Sequence, residues 1–363
     1  MDLDTLLGRT ILLAVAGDPA LAARLLDGVP ADRVLTLLSL AEREELGPAV
    51  AVAVRSCGDE SVRRRASDRI RKSVQWDLAT ARTIAATRSA LQQAGVDSLF
   101  LKGAAFREML YPEPWFRPMV DVDLRVRGRD LDGASDALVA AGFVRTDSGV
   151  RPFTDRHELE RKFLPPGRGI RVELHGGPIN DRGGFGTDFY TLLRRSRPLP
   201  SGGRTLCAED HVVEAAVHSA WHSFRGPMKG ALDLHLLVGS PGFDADAAAA
   251  TARKWGCSTA LAVALDQARA FFGTALPPAL PSVASLAGPR SWILRATLLR
   301  QARPMLVQAD RREAAARAAW IQRSWSLVSR AIAMDDAGLR TAFIAWGLGS
   351  RAADAVLRRL RTR

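Results

Sequence analysis

LKGAAFREMLYPEPWFRPMVDVDLRV, residues 101–126, places Asp121 and Asp123 one residue apart inside an apolar run that otherwise reads as a buried strand. Residues i and i+2 of a strand point to one face, so the two carboxylates converge while Val120, Val122 and Leu124 pack on the other side. Neighbouring buried carboxylates repel each other and lose their hydration, which is costly unless a cation shares them. The economical occupant is Mg²⁺, singly or as a pair, because it prefers carboxylate oxygens. Downstream, VELH at 172–175 sets Glu173 and His175 in the same i, i+2 relation. If that segment pairs beside the Asp-Val-Asp strand, Glu173 completes a three-carboxylate cluster. Two metals about 4 Å apart in such a cluster bind the attacking and leaving oxygens of a phosphoryl displacement.

Upstream, Gly103 falls where a strand hands over to a helix. A residue without a side chain at that point lets a phosphate approach the backbone N–H groups and the positive end of the helix dipole. Lys102 adds a point charge for phosphate and Arg117 a forked donor.

Around this stretch the chain divides into three parts. Residues 1–95 read as helices, with Ile70, Val74, Leu78, Ala81, Ile84 and Leu91 forming one apolar stripe that Gly95 ends. Between 96 and 200 strands alternate with helices, and HELERKFL and IRVELHG read as two strands joined by the turn PPGRG. From 201 to 363 helices return, among them EDHVVEAAVHSAWHSF and GALDLHLLVG. The expected fold is α+β: a mixed sheet with helical N- and C-terminal regions. No Rossmann or Walker glycine pattern occurs.

Composition narrows the function classes. No apolar run approaches the ~20 residues of a membrane span, and Asp2 and Asp4 stand where a signal peptide carries basic residues, so a cytoplasmic location is expected. Cys57, Cys207 and Cys257 show no CxxC spacing, which argues against a disulfide framework or a structural zinc site. The net charge is +12, and of the 51 basic residues five are Lys and 46 Arg. Residues 301–363 hold twelve Arg against five acids, a basic tail suited to an anionic partner such as RNA or an acidic peptide. A solvated helix face explains the same charges, because no aromatic-rich RNA-binding signature accompanies them.

The order Lys-Gly, Tyr-Pro, Arg-Pro-Met, Asp-Val-Asp-Leu and Glu-Leu-His over residues 97–176 resembles the nucleotidyltransferase superfamily that includes DNA polymerase β, and within it the uncharacterised bacterial nucleotidyltransferase branch. The resemblance implies a polymerase-β-like sheet, an NTP substrate and Mg²⁺. It places Gly103, with Lys102, Arg117 and His175, at the nucleotide, Asp121, Asp123 and Glu173 as metal ligands, and Glu173 as the acid that activates the acceptor hydroxyl. It also makes His218 and Asp233 candidates for lining the pocket. Two departures stand out: Ala104 replaces the superfamily serine, and Gly176-Gly177 follow His175 where many members carry an aromatic.

All six histidines fall between 157 and 235, and His218 and His222 are four apart on an expected helix, the spacing of a shared metal. The HExxH pattern is absent, which favours packing roles over a metal hydrolase. Trp115, Trp221 and Phe224 are candidates for stacking a base. The sequence thus points to Mg-dependent transfer of a nucleoside monophosphate from an NTP to an acceptor, with pyrophosphate released. The acceptor is open among a small hydroxylated molecule, a peptide or protein side chain, and an RNA end. The rival reading is a non-catalytic module of the same fold that holds RNA or an acidic peptide through its basic helices.

Overall fold

The computed structural model describes residues 3–146, 160–176, 188–222, 224 and 226–285. His157, Gly177 and the whole Arg-rich segment 301–363 lie outside the described residues. Five helices open the chain: α1 (Leu3–Val15), α2 (Pro19–Leu25), α3 (Ala31–Arg43), α4 (Gly47–Val54) and α5 (Glu60–Gln93). The Asp59 carboxylate caps α5 by accepting the Val62 N–H at 3.0 Å. At the other end Gly95, with φ +65°, turns the chain out of the helix.

The stripe expected along α5 is only half right. Ile84 and Leu91 are buried, but Leu78 is 55% exposed, and much of the buried face is Ser73, Thr80, Thr83 and Thr87. The hydroxyls of Ser73, Thr80 and Thr83 donate to the carbonyls of Arg69, Trp76 and Ala79, four residues back, at 2.8, 3.0 and 3.1 Å. These three are satisfied within their own helix, whereas the buried Thr87 hydroxyl has no hydrogen-bond partner.

Seven strands follow: β1 (Ser98–Phe100), β2 (Asp121–Val126), β3 (Val144–Arg145), β4 (Glu160–Leu164), β5 (Arg171–His175), β6 (Arg197–Pro198) and β7 (Arg204–Thr205), in the order β3-β4-β5-β2-β1-β7-β6. β2 lies at the centre, antiparallel to β1 and parallel to β5. The sheet is mixed and the fold α+β, as expected, although β7 extends the sheet past residue 200.

Interleaved with the strands and after them come α6 (Lys102–Met109), α7 (Leu131–Ala140), α8 (Phe189–Arg195), α9 (Ala208–Trp221), α10 (Lys229–Val238), α11 (Ala245–Lys254) and α12 (Ser258–Phe272). On one face of the sheet Phe100, Val122, Leu124, Phe163, Val172 and Leu174 are fully buried, with α5 and α7 packed against that side. The opposite face is polar: Asp121, Asp123 and Arg125 alternate with the apolar residues of β2, and Arg171, Glu173 and His175 with those of β5.

The first and last described helices share a core. Gly8 of α1 comes so close to α12 that a Cβ there would lie 3.0 Å from the Phe271 carbonyl oxygen. Glu44 accepts the Met228 N–H at 3.0 Å and Glu45 pairs with Lys229, tying the end of α3 to the start of α10. Among the described residues no helix is long and apolar enough to cross a membrane.

Candidate active site

β2 and β5 run in the register Asp121–Arg171, Asp123–Glu173 and Arg125–His175. Paired residues of adjacent strands share a face, so acids and bases collect in one layer. Asp123, Glu173 and His175 each bring a ligand atom within 4.8 Å of the others. Asp123 and His175 are buried, and His175 Nε2 lies 3.0 Å from Asp123 Oδ1. The set gathered in this geometry takes in His175, whereas Asp121 stands on the same face two residues nearer the strand start, with Arg171 Nη2 at 3.4 Å.

Protein cations attend each of these acids. Lys102 Nζ is 3.3 Å from Asp123 Oδ2, while Glu173 Oε1 has Lys162 Nζ at 3.2 Å and Arg171 Nε at 2.8 Å. Burial raises the Asp121 pKa, and repulsion from Asp123 and Glu173 raises it further. Burial acts on Asp123 in the same direction, but Lys102 and the His175 bond outweigh it and hold Asp123 well below the usual carboxylate range. Asp123 is therefore held as a carboxylate by the cations around it. Carboxylate oxygens suit a hard divalent cation, and an imidazole bonded to one ligand is the usual orienting partner of such a set.

The turn from β1 into α6 carries strain. Lys102, the first residue of α6, has φ +47°, a conformation costing a non-glycine residue about 1–3 kcal/mol. That backbone sends its side chain to Asp123. Gly103 follows, buried, and a Cβ there would lie 3.3 Å from Met119 Cβ and 3.7 Å from Arg117 Nη1. The glycine thus permits close approach of the Arg-Pro-Met segment to the turn.

Arg117 and Asp233 form a buried pair. Arg117 Nε reaches Asp233 Oδ1 at 2.8 Å, Nη2 reaches Oδ2 at 2.6 Å, and Nη1 donates to the Pro118 carbonyl at 2.7 Å. Tyr111 O–H donates to Asp233 Oδ1 at 2.7 Å. Burial would lower the Arg117 pKa, but Asp233 raises it above the ordinary value. All three guanidinium nitrogens are engaged inside the protein. The Tyr-Pro and Arg-Pro-Met motifs are in this way bolted to α10.

α9 contributes a residue that sequence reasoning passed over. Glu214 is 7% exposed and neither of its carboxylate oxygens has a hydrogen-bond partner. Burial pushes its pKa up to about 7, with Lys102 acting against the rise and Asp123 with it. His218, one turn further on, is half-buried; burial depresses its pKa well below the ordinary value, and repulsion from Lys102 lowers it further. The available signal was the spacing of His211, Glu214 and His218, which sets all three on one helix face.

The His218 and His222 rings lie 4.5 Å apart, but among the described residues no third metal donor joins them. Of the aromatics expected near a base, Phe224 is core, Trp115 leans on Phe116 with centroids 4.6 Å apart, and Trp221 packs on the core edge. A different indole is exposed close to the start of β2. Trp76 is 47% exposed while its Nε1–H is fixed on the Met119 carbonyl at 2.7 Å, two residues before Asp121. Gly176 has a local explanation, since a Cβ there would meet Leu131 Cδ2 at 2.9 Å.

Acids on the two central parallel strands of an α+β sheet, set behind a strand–helix turn that presents a lysine, form a group that could hold a metal ion. Residues 30–273 match the family model described as uncharacterised nucleotidyltransferase, and the chain belongs to that family. Neither a curated protein nor a solved structure matches it.

Proposed function

We propose that this protein transfers a nucleoside monophosphate from an NTP to a hydroxyl-bearing acceptor. The acceptor oxygen forms a bond to the α-phosphorus, the bond to the bridging oxygen breaks, and pyrophosphate leaves with the electron pair. The observation that supports this most is the pairing of Asp123 with Glu173 across β2 and β5, with His175 on Asp123. Asp121, Asp123 and Glu173 would hold Mg²⁺, which when bound supplies charge neutralisation at the phosphate oxygens. Glu173 takes the acceptor proton. Lys102 offers its ammonium to the phosphates, and His175 orients Asp123. In this reading Arg117 is a positioning residue that works through Asp233 and does not touch the nucleotide.

Acids arranged in this way support transfer over the RNA- or peptide-binding alternative, which has no need of them. The acceptor class stays among small hydroxylated molecules, peptides and RNA ends. Calorimetry with Mg²⁺ and an NTP analogue that cannot be cleaved between the α- and β-phosphates tests the reading without an acceptor. Wild type is expected to bind in a metal-dependent way, and Asp123→Asn and Glu173→Gln to lose that dependence with unchanged circular dichroism. Metal-dependent binding of equal strength in all three proteins would overturn it.

A further inference from the structure

We propose that Glu214 is the second seat of the Lys102 ammonium: when a divalent cation occupies Asp123 and Glu173 and no nucleotide phosphate is bound, Lys102 leaves Asp123 and pairs with Glu214. This rests on the metal reading above and adds to it a residue and a movement.

Lys102 Nζ lies 3.3 Å from Asp123 Oδ2, within the region a cation on that carboxylate would take. Two positive charges cannot share it. Only 12% of the Lys102 side chain is exposed, so the displaced ammonium has no direct way into water. It needs another carboxylate within the protein.

Packing brings one to the same cleft. Phe106 of α6, one turn after Lys102, meets the His211 ring of α9 edge-on with centroids 4.7 Å apart. Glu214 lies three residues from His211 on the same face of α9, so the contact brings it to the side of α9 that meets the first turn of α6, where Lys102 stands. The other charged and titratable groups acting around this cleft include Asp121, Asp123, His175, Arg125 and His218, and the acid acting on Lys102 most strongly after Asp123 is Glu214.

The exchange also accounts for a feature that is otherwise only a cost. A buried carboxylate with neither oxygen hydrogen-bonded is destabilising; Asp210 shares the feature but has Arg195 Nη1 at 3.3 Å as a counter-charge. Glu214 has that character in this structure because its partner is seated on Asp123.

Mn²⁺ titrated calorimetrically into the full chain, without nucleotide, tests the exchange in wild type, Glu214→Gln, Lys102→Met and the double variant. Glu214→Gln is expected to weaken Mn²⁺ binding about tenfold or more, because the evicted ammonium has nowhere to go. Lys102→Met is expected to tighten it, and in that background Glu214→Gln should change affinity by less than about twofold. Glu214→Asp keeps the charge and guards against a folding artefact; it should stay within about threefold of wild type. Equal affinity of Glu214→Gln and wild type would overturn the exchange. So would the same weakening with and without Lys102, which would make Glu214 a ligand in its own right. Failure of Mn²⁺ to bind wild type and Lys102→Met alike would overturn the metal reading, and the exchange with it.

Discussion

Asp233→Asn separates structural from nucleotide-binding work in the Arg117 pair. The substitution keeps the side-chain shape but leaves a buried guanidinium facing a neutral amide, with its Nη1 bond to Pro118 as the remaining strong contact. Breaking a buried pair from one side costs about 3–5 kcal/mol, because an uncompensated charge stays behind. Three close nitrogen–oxygen contacts, at 2.8, 3.1 and 2.6 Å, put this pair toward the upper part of that range. Against a total stability on the order of 5–15 kcal/mol the loss is readable as a lowered urea midpoint. Replacing both partners, as Arg117→Met with Asp233→Leu, should recover most of it, less about 1 kcal/mol for the Tyr111 hydroxyl left without its acceptor. Affinity for an Mg-NTP analogue should survive in the folded double variant. An Arg117→Met protein with an unchanged urea midpoint and abolished NTP affinity would refute the reasoning, and would return Arg117 to the phosphates.

Three further outcomes follow from particular side chains. Burial lowers the His211 pKa from its ordinary 6.5 to about 3, so below pH 6.5 the unfolded chain binds a proton that the folded one refuses. Stability is expected to fall as pH drops from 6.5 towards 3, by up to roughly 5 kcal/mol from this group; a His211→Asn variant whose unfolding midpoint keeps the same pH slope would contradict that. Trp76→Ala should lower NTP affinity about tenfold while leaving Mn²⁺ affinity alone, since stacking on one aromatic is worth about 1–3 kcal/mol; no change in NTP titration would remove the indole from the site. Gly176→Phe should cost about 2–3 kcal/mol by overpacking against Leu131, and Leu131→Ala should relieve part of it; a neutral Gly176→Phe in thermal melts would show that the strand end is looser than its geometry.

The central strand was legible because its acids and apolar residues alternate with the period of a strand, although Val120, expected to pack with Val122 and Leu124, precedes the strand and is 60% exposed. The α5 stripe misled because a reading of apolar spacing cannot see that Thr80 and Thr83 satisfy themselves on the preceding turn. β6 and β7 have two residues each, around Pro198, Gly202 and Gly203, too short for any periodicity; tertiary contact holds them, as where the Thr205 hydroxyl donates to the Phe100 carbonyl at 2.6 Å. The partner of Arg117 lies 116 residues away, beyond the reach of local pattern. Glu214 reads on sequence as one polar residue of an amphipathic helix. Only the rotation of α9, set by the His211–Phe106 contact, turns it inward.

Several of the costs in this structure meet at one place, although Glu45 and Phe224 also have positive φ and both Asp210 oxygens also lack a hydrogen bond. Lys102 bears a positive φ, Asp121 is half-buried beside like charges, and Glu214 is a buried carboxylate without a hydrogen bond; the three lie around a single ammonium–carboxylate contact. Apolar replacements at Asp121 and Glu214 and a glycine at 102 would relieve each cost. The strain at Lys102 cannot serve the fold alone, because the same turn needs only a residue that tolerates φ +47°. It serves to aim an ammonium at Asp123. An ammonium so aimed neutralises the acids while they wait, and it must also be able to leave. That requirement explains why the neighbouring helix carries an acid with no other occupation.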